Sequence, residues 1–312
     1  MIANKKEPCN NYSVLITGGS GMVGRYLTSF LLEKGYTVSH LSRVANLFGR
    51  VRVFRWDPEK EILDPSALEN TDYIIHLAGA NIGEKRWTEK RREEIIRSRV
   101  DSANLLLNTV IINRFPLKAF ISASATGYYG SITSETIFTE EMGPGEDFTG
   151  IVCQKWEEAA EKFAKSGIRT VKLRTAVVLE KNCAVLKKLQ LTEPFGILPV
   201  PGSGKQYFPW IHINDLCRIY IKAVEDSQMN GAFNACAPEQ ITFIDFVKKY
   251  AELTGKKKII TKVPAVLLKI AFGKMSEIIL QGSRVSSSKL ISAGFTFDFP
   301  TMDKALKNIL GS

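Results

Sequence analysis

The stretch SVLITGGSGMVGRYL, residues 13–27, decides how the rest of the chain is read. An unbroken apolar run, SVLIT (13–17), meets a glycine cluster and then MVGRYLTSFLLEKG (22–35), which has helical spacing and ends in glycine. That order predicts a buried strand, a tight turn and a helix. Gly18, Gly21 and Gly24 stand in the order T-G-x-x-G-x-x-G. The three glycines serve different physical ends. Gly18 permits the turn, Gly21 lets the backbone approach a pyrophosphate, and Gly24 lets helix and strand pack closely. The helix N-terminus presents free N–H groups and the positive end of its dipole. Gly18, Gly19, Ser20, Gly21, Met22, Val23 and Gly24 are therefore the expected cradle of a dinucleotide.

Working outward, strand-like and helix-like segments alternate. YTVSHLS (36–42), RVRVFRW (50–56), DYIIHLAG (72–79), LKAFISAS (117–124) and IRTVKLRTAVVL (168–179) read as strands. TEKRREEIIRSRVDSANLLLNTVI (88–111), with Thr88 as N-cap, and VCQKWEEAAEKFAKSG (152–167) read as helices. Alternation of this kind predicts an α/β fold, a Rossmann-type doubly wound parallel sheet covered by helices on both faces. The expected core spans residues 12–180. Residues 181–312 form an expected substrate-side region, interleaved with the core and ending in a small mixed α/β C-terminal part over about 262–312. In it, FGILPVPGSGKQYFPWI (195–211) reads as a long Gly- and Pro-rich loop.

The end of the second strand bears on which dinucleotide is held. An acidic residue there would accept a hydrogen bond from a ribose 2′-OH. This chain has Ser42 and Arg43 instead. A guanidinium pairs with a 2′-phosphate and a serine donates to it, so NADP(H) is expected over NAD(H). Trp56 and Asp57 are candidates for the adenine side, and Leu77, Ala78 and Gly79 stand where the chain passes close to the cofactor.

Composition narrows the classes. The chain has 312 residues and a net charge of +10, which by itself fits a soluble enzyme with surplus surface lysine as well as an anion-binding protein. Its five cysteines, Cys9, Cys153, Cys183, Cys217 and Cys236, form no C-x-x-C pair, so neither a zinc site nor a disulfide framework is expected. No histidine spacing suggests a metal. No apolar run approaches the ~20 residues of a bilayer span, and the polar start lacks a secretory pattern, so a cytoplasmic protein without a membrane partner is expected. EKRWTEKRREEIIRSR (84–99) mixes seven basic and four acidic side chains, the pattern of a solvated helix face. Without an aromatic platform, nucleic-acid binding is not expected.

TGGSGMVG, RVFRWDP, HLAGANIGEKRWTEKRREEIIRSRV, SASATGYYG, QKWEEAA, GSGKQYFPWIHINDL and GFTFDFP together resemble an extended short-chain dehydrogenase/reductase, and within it the atypical YfcH-like NAD(P)-dependent epimerase group. The resemblance runs from about residue 13 to 310. It implies a Rossmann core, a bound dinucleotide and a C-terminal substrate region. It also implies that the strand ending SASATGYYG lies beside the nicotinamide, with Ser122 among the cofactor contacts.

The mechanism implied by the resemblance uses a Ser or Thr, and a Tyr and Lys spaced Y-x-x-x-K. Here Lys155 is preceded four residues earlier by Ile151, and no tyrosine occurs between Tyr129 and Tyr207. The hydroxyl position falls on Ala125 or Ser124 depending on which tyrosine anchors the count. The candidate catalytic set is therefore Ser124, Tyr128, Tyr129 and Lys155, with a proton donor from the loop or from the substrate. Arg174 and Lys205 are candidates for an anionic substrate. Two readings stay open. One is an NADP(H)-dependent epimerase or oxidoreductase acting on a small anionic or sugar-nucleotide substrate, as a monomer or homodimer. The other is a non-catalytic NADP(H)-binding sensor or scaffold.

Overall fold

The computed structural model describes residues 12–44, 51–255 and 258–311. Cys9 and Arg50 lie outside the described residues. In chain order, the first part runs β1 (Ser13–Thr17), α1 (Met22–Glu33), β2 (Thr37–Ser42), β3 (Arg52–Asp57), β4 (Ile62–Leu63), β5 (Tyr73–His76), α2 (Glu89–Asn113), β6 (Ala119–Ala125), β7 (Ile137–Phe138), α3 (Phe148–Lys165) and β8 (Arg169–Thr175). It continues through β9 (Val177–Leu179), α4 (Ala184–Thr192), β10 (Ile197–Pro201), β11 (Trp210–His212), α5 (Ile213–Glu225), β12 (Gly231–Ala235), α6 (Phe243–Leu253) and β13 (Ile259–Val263). The C-terminal part holds α7 (Ala265–Phe272), α8 (Glu277–Leu280), β14 (Arg284–Val285), α9 (Ser288–Ser292) and α10 (Met302–Leu310).

The main sheet has eight strands in the order β12-β8-β6-β5-β1-β2-β3-β4. All neighbours pair in parallel except β3 with the short β4. From β1 the chain first builds outward through β2 and β3. It then returns to β5 on the other side and builds through β6, β8 and β12. The strand order thus reverses between β1 and β5, and a doubly wound sheet opens a crevice there, at the carboxyl ends of its strands. Val14, Leu15 and Ile16 of β1 are fully buried, as a central parallel strand covered on both faces requires.

Local chemistry sets the helix ends. α1 begins at Gly21 and is closed by Gly35 at φ 83°, whose N–H donates to the Leu32 carbonyl. Thr88 caps α2 by accepting from the Arg91 amide, as expected. α3 starts four residues before the expected Val152, because Asp147 caps it by accepting from the Gly150 amide at 2.8 Å. Gly150 looks like a helix breaker in sequence. In the fold it is obligatory, since a Cβ there would lie 2.0 Å from the Gly145 carbonyl oxygen.

Two further expectations are corrected. The stretch 168–179 is not one strand: it breaks at Ala176, leaving β8 in the main sheet while β9 pairs with β11. The stretch 195–211 is not all loop, because it contributes β10, paired in parallel with β13, as well as the start of β11. No helix among the described residues is long and apolar enough to cross a membrane.

The glycine turn separates packing from binding. A Cβ on Gly24 would lie 2.5 Å from the Gly18 carbonyl oxygen and 2.6 Å from the Gly19 Cα, both backbone atoms. Gly24→Ala is therefore expected to cost roughly 1–3 kcal/mol, read as a lowered melting temperature. Gly21→Ala meets just one contact, the Gly18 oxygen at 3.2 Å, and is expected to melt close to the parent.

Candidate active site

The crevice between β1 and β5 is built by backbone approach. Gly18 takes φ +71°, and a Cβ on it would lie 3.0 Å from the Leu77 carbonyl carbon and 3.1 Å from the Ala78 nitrogen. The Thr17 hydroxyl oxygen accepts from the Leu77 and Ala78 amides, both at 3.1 Å. Its own hydrogen therefore goes to His76 Nδ1, at 2.8 Å. His76 then carries its proton on Nε2, which faces the Ser102 hydroxyl oxygen at 3.2 Å. Ser102 in turn donates to the Ser98 carbonyl. Burial pushes the His76 imidazole down to about 4, so it stays neutral in the fold.

The expected cradle residues form the turn after β1 and the first turn of α1. Gly18, Met22 and Val23 are half-buried, Gly19 is buried, and Ser20 and Gly21 are exposed. Gly19 is required from the protein side, because a Cβ there would lie 2.5 Å from the His40 ring. A Cβ at Gly21 would project into space bounded, among the described residues, only by the Gly18 carbonyl. At the end of β2, Ser42 is half-buried and Arg43 exposed. Leu77 and Ala78 are half-buried and Gly79 is exposed. One expected contact is placed elsewhere. Trp56 lies within β3 with its ring in the core beside Leu41, Phe54 and Leu68, so it offers no face to an adenine. Ser122 is buried and donates to the Ala123 carbonyl. Asp57, at the end of β3, pairs with Lys60 at 3.6 Å.

The loop after β5 is held by residues that the sequence pattern hid. Arg99 and Arg91 belong to the segment read as a solvated face, yet both are buried. Arg99 donates to the Ala80 carbonyl at 3.0 Å and stacks over the Trp156 ring at 4.7 Å. Arg91 donates to the Asn81 carbonyl at 2.7 Å. Arg91 pairs with Glu84 at 3.1 Å and Glu94 at 2.9 Å in the same mixed-charge run, whereas Arg99 is held by the Ala80 and Ile95 carbonyls.

At the end of β6 the candidate catalytic residues separate. Ser124 is buried and donates to Glu157 Oε1 at 2.7 Å. The same carboxylate receives Arg174 Nε at 2.9 Å and, on its other oxygen, Nη2 at 3.0 Å. Arg174 Nη1 donates to the Tyr129 hydroxyl at 3.0 Å, and that hydroxyl donates to Asn234 Oδ1 at 2.7 Å. One network thus ties β6, β8, β12 and α3. Burial pushes the Tyr129 phenol up to about 12, and its hydrogen is already given to Asn234. Tyr129 is consequently a structural tyrosine. Tyr128 is half-buried at the rim, with the Arg174 Cζ 3.4 Å from its ring centre.

Lys155 is exposed, on a stretch of α3 with exposed Gln154 and Glu158, and the structure does not bring it to Ser124. Besides Glu157, which holds Ser124, the α3 positions that face the turn after β6 are Thr149 and Cys153. A Cβ on Gly127 would lie 3.3 Å from the Thr149 Cβ and 3.8 Å from the Cys153 sulfur. They are four apart, the spacing sought at Ile151 and Lys155; the Asp147 cap, legible as D-F-T-G, is the signal that would have moved the reading by two positions. The Thr149 hydroxyl donates to Asp147, and burial followed by the Glu157 charge pushes the Cys153 thiol up to about 12. In the second half of the chain, Tyr207, Gln240, Ser283 and Arg284 line a shallow recess. Lys205 is exposed beside it, whereas Arg174 is committed internally. No cluster of metal-ligating side chains occurs among the described residues.

A sequence model described as the NAD dependent epimerase/dehydratase family matches residues 14–236, and a domain of unknown function, DUF1731, matches residues 263–309. The chain is 32% identical over 303 residues to the human epimerase family protein SDR39U1, covering 95% of this chain and 99% of that protein. It is 30% identical to epimerase family protein YfhF of Bacillus subtilis, covering 96% and 98%. The crystal structure of human SDR39U1 with NADPH superposes with a TM-score of 0.85 at 28% identity, covering 96% of this chain and 99% of that one. The nucleoside-diphosphate sugar epimerase from Corynebacterium glutamicum gives 0.78 at 30% identity, covering 96% and 58%.

Two buried imidazoles give the fold a pH signature. His76 and His212 are both depressed to about 4 from the ordinary 6.5, chiefly by burial. Between those values the unfolded chain binds more protons than the folded one. Stability is therefore complete above about pH 6.5 and falls as pH drops toward 4. Denaturant unfolding at pH 7 and pH 4.5 is expected to show the decline, and His76→Gln is expected to reduce it by about 2 kcal/mol.

Proposed function

The chain belongs to the NAD dependent epimerase/dehydratase family, and from that premise we propose that it binds NADP(H) in the crevice between β1 and β5 and acts as an oxidoreductase or epimerase on a small substrate. The observation that carries the reading is the pairing of an open Gly21, whose missing Cβ leaves room for a pyrophosphate, with an exposed Arg43 at the end of the adjacent strand. The first-turn amides of α1 at Met22, Val23 and Gly24 would receive the phosphates. Arg43, with Ser42, would meet the 2′-phosphate. Leu77, Ala78 and Gly79 would border the cofactor from the β5 side, held in place by Thr17 from below and by Arg99 behind Gly79. The cofactor, when bound, supplies or accepts a hydride.

The relative crystallised with NADPH supports the phosphorylated form of the dinucleotide, and the sugar-nucleotide epimerase among the structural relatives supports a substrate of that size bound between the crevice and the recess at Tyr207 and Arg284. A specific observation favours a second reading, a binding protein without turnover: Thr149 and Cys153 stand on the α3 face where a Tyr–Lys pair would be needed.

Titration of both dinucleotides by tryptophan fluorescence tests the cofactor reading. NADPH is expected to bind more tightly than NADH, and Arg43→Glu to erase that preference. Equal affinities in the parent protein would remove Arg43 from the site. Gly21→Val is expected to abolish binding while the protein keeps its fold, because the added side chain fills the pyrophosphate's space. Normal binding by that variant would place the dinucleotide elsewhere.

A further inference from the structure

We propose that Tyr128, with the Arg174 guanidinium against its ring, takes the place of the missing Tyr–Lys pair as proton donor to a substrate carbonyl. The proposal rests on the reading above that a reduced nicotinamide dinucleotide occupies the crevice. It is reached from the hydroxyls around the end of β6 whose hydrogens the structure places. Ser122 gives its hydrogen to the Ala123 carbonyl, Ser124 to Glu157, Tyr129 to Asn234 and Thr149 to Asp147. Tyr128 differs from them in position. It sits half-buried in the turn that closes β6, at the carboxyl edge of the sheet. β6 is the neighbour of β5, whose end forms one wall of the crevice, with Ser122 opposite His76 in register.

The second half of the pair is a cation that cannot leave. Arg174 is 3% exposed, and two hydrogen bonds to Glu157 and one to Tyr129 fix its plane. Its Cζ lies 3.4 Å from the Tyr128 ring centre. A cation at that distance stabilises the phenolate left after proton transfer, which is what the lysine of a Tyr–Lys pair does. The groups that face Tyr128 are Arg174 from β8, Glu157 and Cys153 from α3, and the Tyr129 ring, edge-on with ring centres 5.5 Å apart. Burial and the Glu157 charge favour the neutral phenol, and the guanidinium opposes them. The balance keeps a proton on Tyr128 at neutral pH, so it is ready to be donated.

The step balances. A hydride arrives at the carbonyl carbon from the reduced nicotinamide, which is thereby oxidised. The C=O π pair moves onto oxygen, and the Tyr128 O–H bond breaks to deliver the proton there. The product is an alcohol. The phenolate is held against Arg174 until solvent reprotonates it. In the reverse direction the phenolate accepts the alcohol proton.

Two measurements test this. In cofactor-free protein, the Tyr128 phenol is titrated by NMR with tyrosine labelled at Cζ and assigned by its loss in Tyr128→Phe. Its pKa is expected to rise by roughly 1–3 units in Arg174→Gln and to stay near the parent in Arg174→Lys, which keeps the charge. Should Arg174→Gln not fold with Glu157 left unpaired, the double variant Arg174→Gln/Glu157→Gln replaces it, with a smaller rise expected. A phenol that ignores the loss of the guanidinium overturns the pairing. With NADPH bound, turnover of the probe 9,10-phenanthrenequinone is expected to fall roughly 10²–10⁴-fold in Tyr128→Phe with NADPH affinity unchanged. Retained turnover in that variant, or a parent protein that binds NADPH but does not reduce the probe, overturns the donor assignment. A parent that fails to bind NADPH overturns the cofactor reading instead, and the phenol titration still decides the Tyr128–Arg174 pairing.

Discussion

The constraint on which the rest depends is the contact between the ends of β1 and β5. The Gly18 turn comes so close to the Leu77–Ala78 backbone that a single added carbon would sit 3.0 Å from a peptide carbon. Thr17 locks the contact by accepting two amides with one oxygen and giving its hydrogen to a neutral His76. Each partner has one role in this arrangement, and no donor in the chain from Thr17 through His76 to Ser102 is left over. The crevice is thus preorganised: its floor is fixed by buried hydrogen bonds, while its rim, at Gly21 and Arg43, is left for a ligand.

A second network shapes the chemistry available above that floor. Breaking a buried ion pair by removing one partner typically costs about 3–5 kcal/mol, because the other charge is left uncompensated. The Glu157–Arg174 pair is of this kind, and it engages Ser124 and Tyr129 as it holds β6 and β8 to α3. The hydroxyls that a mechanism would look to first are therefore spent on architecture. The same pair leaves one face of the guanidinium against Tyr128, so a structural device and a candidate proton donor share one side chain.

How much was legible in sequence follows from how local each signal is. The β1 turn, the parallel sheet and the helix caps at Thr88 and Gly35 are short-range patterns, and all appear. Readings that depended on which side chain faces inward fared less well. Arg91 and Arg99 stand in a run of mixed charge that looks solvated, and tertiary packing buries both. Lys155 lies on the exposed side of α3, which starts at the Asp147 cap, four residues before the expected Val152. Trp56 looks like a strand-end aromatic until the strand is seen to run through it. Tyr128 and Tyr129 are adjacent and alike in sequence. Only the fold shows one committed to Asn234 and the other left at the rim.

The most direct test is a crystal structure with NADP⁺ bound. The account predicts the pyrophosphate on the Gly18–Gly24 turn, the 2′-phosphate against Arg43, and the nicotinamide at the end of β6 with the Tyr128 hydroxyl facing its reactive carbon across the substrate space. A dinucleotide bound away from the β1–β5 crevice, or a nicotinamide whose reactive face meets no part of Tyr128, would contradict it.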